Sequence, residues 1–263
     1  MAHRDVQARE LRELGTGRNG WRVNATTADL SRGLGDDRVV TIAARPQRLV
    51  VAPSLAAVVV VDMQNDFCSP GGWVDSSGGD YTAGRRAIDP IKRTLEHVRQ
   101  LGMRVIWLNW GNRVDLGNVG PSTLHSFDPH ATGAGLGSVL PRGRVLTANE
   151  WPAAIVDDLV PLPGDTHVRK FRTSGFWGTE LDQILRNLDV KTLFFTGVNT
   201  DQCVDLTLRD GYCLDYDCVL VADGTATTSP AFAYDATLWN VEHAWGFVTT
   251  SMDIAGARAG REV

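Results

Sequence analysis

The sequence lacks a long apolar run and carries little net charge. These two absences argue against some classes of protein and some classes of partner. No stretch reaches the roughly 18 apolar residues that a membrane-spanning helix needs. The first 14 residues are polar and charged, without the apolar segment of a signal peptide. The formal net charge is −5 over 263 residues, which argues against nucleic acid or an anionic membrane as the main partner. We therefore expect a cytoplasmic protein that acts on a small molecule.

The usual signatures of metal and nucleotide sites are also missing. The sequence has no phosphate loop with its lysine, no Gly-x-Ser-x-Gly elbow and no His-Glu-x-x-His pair. The glycines of 133–137 lie in an irregular segment without the strand and helix that a nucleotide-binding loop requires. His125 and His130 could still meet in space, but we expect no metal and no other cofactor. The four cysteines are too few and wrongly spaced for a disulfide framework or a paired-cysteine zinc site, and they are Cys68, Cys203, Cys213 and Cys218.

The sequence divides into an N-terminal arm, residues 1–52, and a larger domain, residues 53–263. In the arm, Arg9–Leu14 suggests a short helix that glycines then break, and Val39–Ile42 suggests a strand. The arm has too few apolar residues to fold as a domain alone, yet its valines and Trp21 need burial. We expect it to pack along its own subunit or against a neighbour in a homo-oligomer, a homodimer or homotetramer.

From residue 56 onward, short apolar runs alternate with amphipathic segments. Strands are predicted near 56–62, 103–109, 165–169, 191–197, 217–222 and 247–250. Helices are predicted near 84–101, 178–188, 202–213 and 231–244. This alternation is typical of right-handed crossovers, so we predict a three-layer α/β doubly wound, mainly parallel sheet. The irregular segment 110–164 follows the carboxyl end of a strand, and we expect it to shape the ligand crevice, since open α/β sheets bind ligands there.

Three reactive side chains follow three of these strands. Asp62 ends the run 57–61, Lys170 ends 166–169, and Cys203 opens a helix just after 192–196. The unpaired amides at a helix start favour a thiolate. A buried aspartate beside a cysteine can accept the thiol proton and return it to a leaving nitrogen, and a lysine helps keep both anions ionised. Asp66, in the turn after Asp62, is expected to have a structural hydrogen-bonding role instead.

Four sequence blocks resemble the isochorismatase-like cysteine hydrolase superfamily, over roughly residues 54–253. The blocks are Val61-Asp62-Met63-Gln64-Asn65-Asp66-Phe67, Lys170-Phe171-Arg172-Thr173-Ser174-Gly175-Phe176, Gly197-Val198-Asn199-Thr200-Asp201-Gln202-Cys203-Val204, and Val221-Ala222-Asp223-Gly224-Thr225-Ala226-Thr227. The resemblance implies a Rossmann-like fold and an Asp62, Lys170 and Cys203 catalytic triad. It also implies a cis peptide between Val198 and Asn199, with the backbone amides of Asn199 and Cys203 forming an oxyanion hole.

The resemblance also narrows the reaction. Members that cleave isochorismate lack the nucleophilic cysteine, so Cys203 indicates amide hydrolysis. Nicotinamidases carry an Asp and His metal set after the second strand, which residues 108–113 lack. That block and residues 172–177 are more similar to the branch acting on ureidoacrylate, biuret and triuret. In that branch we expect a glutamine near the position of Tyr234, and its replacement leaves the precise substrate open.

The sequence therefore predicts a metal-independent cysteine amidohydrolase that cleaves a linear amide or ureido C–N bond through a thioester-type intermediate. Two alternatives stay open: a hydrolase of a larger amide or carbamate, and a non-catalytic binding or regulatory protein of the same fold. The residues predicted to contact the substrate are Phe67, Asn112, Arg113, Trp177 and Tyr234.

Overall fold

The computed structural model describes residues 10–261, and its strands form two six-stranded sheets and one hairpin. The strands are β1 Arg12–Leu14, β2 Trp21–Val23, β3 Thr27–Asp29, β4 Val40–Ile42, β5 Arg48–Val51, β6 Ala56–Val61, β7 Arg104–Trp110, β8 Val139–Leu140, β9 Gly143–Arg144, β10 Thr166–Lys170, β11 Thr192–Val198, β12 Asp217–Ala226, β13 Phe247–Thr249 and β14 Arg258–Ala259. The α-helices are α1 Asn65–Cys68, α2 Trp73–Ser76, α3 Tyr81–Arg85, α4 Ile88–Gln100, α5 Pro121–Phe127, α6 Leu181–Asn187, α7 Asp205–Cys213, α8 Ala231–Asn240 and α9 Ser251–Ala255. Two π-helical turns, Thr200–Val204 and Val241–Trp245, precede α7 and follow α8.

The central sheet has the strand order β10-β7-β6-β11-β12-β13, and every neighbouring pair in it is parallel. From β6 the chain winds outward through β7 to β10, and then returns beside β6 as β11 and winds the other way. The order therefore reverses between β6 and β11, which is where doubly wound sheets bind ligands. The predicted fold class is confirmed.

Burial explains why these segments form these elements. Every residue of β6 is fully buried, which is why its sequence is a continuous apolar run rather than an alternating one. In α4, the apolar positions Ile88, Ile91, Leu95 and Val98 are buried on one face, as their three- and four-residue spacing predicts. All six core strands and all four helices predicted beyond residue 53 are present, with shifts of a few residues at their ends.

The second sheet, ordered β1-β2-β3-β5-β4-β14, contains the described part of the N-terminal arm. The helix expected at Arg9–Leu14 is wrong over the described residues, because Arg12–Leu14 is a strand paired antiparallel with β2; Arg9 itself lies outside them. The expected strand at Val39–Ile42 is confirmed as β4. Arg258–Ala259, near the other end of the chain, pairs with β4 and completes this sheet.

The second sheet packs on the body of the same chain. Its buried residues, among them Val23 and Ile42, belong to the same hydrophobic core as the central sheet. The contact is fixed at Asp217, the first residue of β12, which accepts hydrogen bonds from Trp21 Nε1 at 2.9 Å and from the Arg32 guanidinium at 2.5 Å and 2.9 Å. Val23, Val39, Val40 and Ile42 of the arm are thus buried within the same chain, and Trp21 is partly buried. Within residues 10–261 no helix is long and apolar enough to cross a membrane.

Candidate active site

The side chains of Asp62, Lys170 and Cys203 meet at the carboxyl edge of the central sheet. Asp62 follows β6 in a left-handed conformation, with φ of 50°, which aspartate tolerates better than most residues. Lys170 is the last residue of β10. Cys203 lies in the π-helical turn after β11. The sequence-predicted group is therefore brought together by three different strands.

Lys170 lies at the centre of this group. Its Nζ lies 2.7 Å from Asp62 Oδ2 and 3.5 Å from Cys203 Sγ. It also donates to the backbone carbonyl of Arg172 at 3.0 Å and lies 4.1 Å from the centre of the Trp110 ring. The side chains of Lys170 and Asp62 are 0% and 1% exposed. A buried lysine needs such a set of partners, because an unpaired buried charge is costly.

Burial controls the protonation of this group. It raises the pKa of Cys203 to about 12, since desolvation outweighs the attraction of the nearby Lys170 ammonium. Desolvation likewise raises the pKa of Asp62, against the opposing effect of Lys170. Burial therefore opposes the thiolate that the sequence favours. A proton moving from Cys203 to Asp62 leaves the total charge of the group unchanged.

The backbone around Asp62 is held by hydrogen bonds that the sequence did not reveal. The Trp110 amide donates to Asp62 Oδ1 at 3.0 Å and to Gln64 Oε1 at 2.8 Å. The Gln64 amide group in turn donates to the carbonyls of Trp110 and Ala153 at 2.7 Å and 2.6 Å. Gln64 thereby ties the turn after β6 to the end of β7 and to the irregular segment 110–164, here called the insertion.

Asp66 has the structural role expected of it. Its two carboxylate oxygens accept from the backbone amides of Trp73 and Leu146, at 2.9 Å and 2.7 Å. Burial raises the pKa of Asp66 to about 6, although both hydrogen bonds lower it. Asp66 connects α2 to the insertion.

Cys203 opens onto a cavity of about 600 Å³. Phe67, predicted as a substrate contact, lines it, and so do Asn199 and Cys203, the residues predicted to supply the oxyanion hole. The peptide between Val198 and Asn199 is cis, as the resemblance implies. The insertion contributes Ser126 and Phe127, in agreement with its expected role in shaping the crevice. The other lining residues are Trp73, Val74, Trp110, Thr173, Asp201, Gln202, Asp205, Leu206, Arg209 and Thr228.

Two predicted substrate contacts, Asn112 and Arg113, line a smaller neighbouring cavity of about 350 Å³ instead. Asn112 is fully buried, and its side-chain oxygen accepts from Trp110 Nε1 at 2.7 Å. Arg113 is exposed and pairs with Asp115 at 2.6 Å. Their position just after β7 predicts a place in the crevice, but the chain turns away from the cavity directly after Trp110.

Trp177 and Tyr234 also lie outside the Cys203 cavity. The Trp177 side chain is 64% exposed. Tyr234 is half-buried, and its hydroxyl donates to the Ala222 carbonyl at 2.9 Å, so the structure gives it a packing role against β12. The structure thus brings together the triad, Asn199 and Phe67, and leaves the other four predicted contacts apart.

Several residues that line this cavity are not among those predicted from the sequence. Trp110 has a recognisable signal, since it ends the strand next to β6 and therefore lies beside Asp62. Asp205 and Arg209 also have one, as an acidic and a basic residue four positions apart on α7. Trp73 and Phe127 had none, because their convergence depends on how the insertion folds back.

Within residues 10–261, no group of three or more His, Cys, Asp or Glu side chains is arranged to hold a metal ion. His125 and His130, whose meeting the sequence left open, are both exposed. Cys213 and Cys218 are both free.

Comparison with known proteins gives a consistent result. The Isochorismatase domain model matches residues 56–253. Ureidoacrylate amidohydrolase RutB of Caulobacter vibrioides is 38% identical over 220 residues, covering 82% of this chain and 92% of the relative. The enzyme of the same name from Klebsiella variicola is 38% identical over 214 residues, covering 80% and 90%. Among solved structures, a cysteine hydrolase from Pseudomonas syringae pv. phaseolicola superposes with a TM-score of 0.65 at 27% identity, covering 78% of this chain and 94% of that one.

Proposed function

The chain belongs to the isochorismatase family, and on that premise we propose that it is a cysteine amidohydrolase that cleaves a linear amide or ureido C–N bond without a metal ion. The observation that carries the proposal is the contact of Lys170 with both Asp62 and Cys203 beside a cavity. The relatives named for ureidoacrylate hydrolysis support a ureido substrate of the ureidoacrylate, biuret or triuret type.

In the first half of the reaction, Cys203 Sγ attacks the carbonyl carbon while its proton passes to Asp62. Because this transfer moves charge within a buried group without adding to it, it avoids the cost that raises both pKa values. The carbonyl oxygen, now negative, is stabilised by the backbone amides of Asn199 and Cys203, and each such donor contributes roughly 3 kcal/mol. The C–N bond then breaks as Asp62 gives the proton to the leaving nitrogen.

In the second half, water attacks the thioester-type intermediate and gives a proton to Asp62. The C–S bond breaks, the acid or carbamate leaves, and the proton returns to Cys203 Sγ. Lys170 stays charged throughout and keeps Asp62 ready to accept a proton at the start of each half.

The test is steady-state ammonia release from ureidoacrylate, biuret and triuret by the purified protein. Cys203→Ser and Asp62→Asn should each lower kcat/KM by at least roughly 1,000-fold. Cys213→Ala is the matched control, because that thiol is exposed, and it should retain full activity. Mass spectrometry of the wild-type protein quenched during turnover should detect a covalent adduct on Cys203. An active Cys203→Ala variant, which has no nucleophile at this position, would exclude the covalent mechanism.

Metal independence is tested separately by dialysis against a chelator, which should leave kcat/KM unchanged. Loss of activity that added zinc, iron or manganese restores would contradict this part of the proposal and leave the role of Cys203 intact.

The size of the cavity favours a second candidate, the hydrolase of a larger amide or carbamate. At about 600 Å³ it falls within the range of pockets that hold drug-sized ligands, and a small ureido acid would fill only part of it.

A further inference from the structure

One wall of the Cys203 cavity is a continuous cluster of aromatic rings, Phe67, Trp73, Phe127 and Trp110. Phe67 and Trp73 pack edge to face with ring centres 6.3 Å apart. Phe127, from the insertion, lies 4.9 Å from the Trp73 ring and 5.0 Å from the Trp110 ring. Such a wall favours a flat apolar group lying against it, because planar rings bury large areas and pack well edge to face or offset.

Three charged side chains also line the cavity, and negative charge prevails among them. Two carboxylates, Asp201 and Asp205, line it. Over the described part of the chain, Arg209 is the only cationic side chain among the lining residues. The cavity therefore presents two anionic groups against one cation.

Arg209 is already engaged by partners within the protein. It donates from Nε to Asp205 Oδ1 at 3.0 Å and from Nη2 to Asp205 Oδ2 at 2.6 Å, so the forked face that binds carboxylates is occupied. Its guanidinium also lies 3.8 Å from the centre of the Trp245 ring. Lys170, which is not among the lining residues, pairs with Asp62. A substrate carboxylate would find no unpaired cation among the described lining residues and would face Asp201, because both oxygens of Asp205 are bound to Arg209.

From this arrangement we infer that the protein selects ureido or amide substrates that bear a flat apolar group and no carboxylate. The inference rests on the proposed function and departs from the acid for which the relatives are named. The aromatic wall binds the apolar group, and Asp201, which pairs with no cation of the cavity lining, disfavours anions.

The test uses a pair of ureas that differ by one carboxylate, benzylurea and 4-(ureidomethyl)benzoate, together with ureidoacrylate. Ammonia release should give kcat/KM for benzylurea about ten-fold or more above that of both acids, because like charges placed together are strongly disfavoured. Raising the ionic strength should narrow the gap, since salt screens charges near solvent. Equal or greater kcat/KM for the acids would overturn the inference and leave the cysteine mechanism standing.

Two variants test the charge of Asp201 and the aromatic wall separately. Asp201→Asn should raise the ratio of kcat/KM for 4-(ureidomethyl)benzoate to that for benzylurea. Phe127→Ala should lower kcat/KM for benzylurea more than for biuret, which has no ring. Phe232→Ala is the matched control, since that ring is 73% exposed on α8, and it should change neither ratio.

Binding gives a readout that does not depend on turnover. Titration of the Cys203→Ala protein by calorimetry should show a lower Kd for benzylurea than for its carboxylated partner, also by about ten-fold. If no urea is hydrolysed, the proposed function fails, and this comparison still decides the charge preference. A lower Kd for the carboxylated partner, or the same Kd for both, would refute it.

Discussion

The buried pair of Lys170 and Asp62 allows a prediction about the free energy of unfolding, which can be measured without an activity assay. Lys170→Met removes the charge and keeps a similar side-chain length, and so leaves Asp62 buried without its cation. Breaking a buried ion pair from one side costs about 3–5 kcal/mol. We expect a loss of this size in the free energy of unfolding at pH 8, measured by urea denaturation followed by tryptophan fluorescence.

The loss should shrink as the pH falls. Burial already raises the pKa of Asp62, and without the opposing Lys170 charge that pKa rises further in the folded variant, while in the unfolded chain it stays near 4. The folded variant therefore takes up a proton that the unfolded chain does not, and its stability relative to wild type increases on acidification. The slope reaches about 1.4 kcal/mol per pH unit once the proton is bound.

Two further variants separate this cause from a general packing defect. The double variant Asp62→Asn/Lys170→Met has no buried charge at this position, so its stability relative to wild type should lack the acid-dependent recovery of the single variant. Lys191→Met removes a surface pair with Asp189 at 2.8 Å and should cost less than about 1 kcal/mol at any pH. If Lys170→Met loses the same free energy of unfolding at pH 5 and at pH 8, then Asp62 is not a buried charge that Lys170 stabilises.

Asp66→Ala leaves two backbone amides without their acceptor and should lower the free energy of unfolding by about 1–3 kcal/mol for each amide. The control Asp157→Ala, at an exposed position, should change the free energy of unfolding little. Equal effects of the two substitutions would refute the structural role of Asp66. Burial raises the pKa of Cys203 to about 12, so iodoacetamide at pH 7.5 should label the exposed Cys213 faster than Cys203. Peptide mass spectrometry measures the two labelling rates. Faster labelling of Cys203 would mean that Cys203 rests as a thiolate. The homodimer or homotetramer expected from the sequence stays a prediction, and light scattering that gives a monomer mass at micromolar concentration would contradict it.

The sequence predicted the central sheet well, for a physical reason. A strand buried on both faces must be apolar along its whole length, so β6 and β11 are visible as runs. Polar residues at the ends of such strands are exceptions to burial, which is why Asp62 and Lys170 stood out. Apolar runs and the polar residues that end them can be recognised from the local sequence without knowledge of the fold.

The errors lie where distant segments decide the structure. Arg12–Leu14 has helix-forming residues but becomes a strand because Trp21–Val23 pairs with it. Arg113 and Trp177 follow strands, yet the turns after those strands direct them away from the cavity. Phe127 reaches the cavity only because the insertion folds back over Trp110, and no pattern within the insertion encodes that path.

The pairing of Arg258–Ala259 with β4 has a consequence for how the molecule behaves when its C-terminal segment is lost. That segment covers one edge of the second sheet, with backbone pairing to Val40 and Thr41 and a bond from the Gly260 amide to the Val39 carbonyl. Proteolysis or truncation before Arg258 would leave β4, whose three residues are all buried, as an open apolar edge. Open edges of this kind recruit strands from other chains. We therefore expect the loss of residues 258–260 to favour aggregation through this edge, far from any chemistry at Cys203.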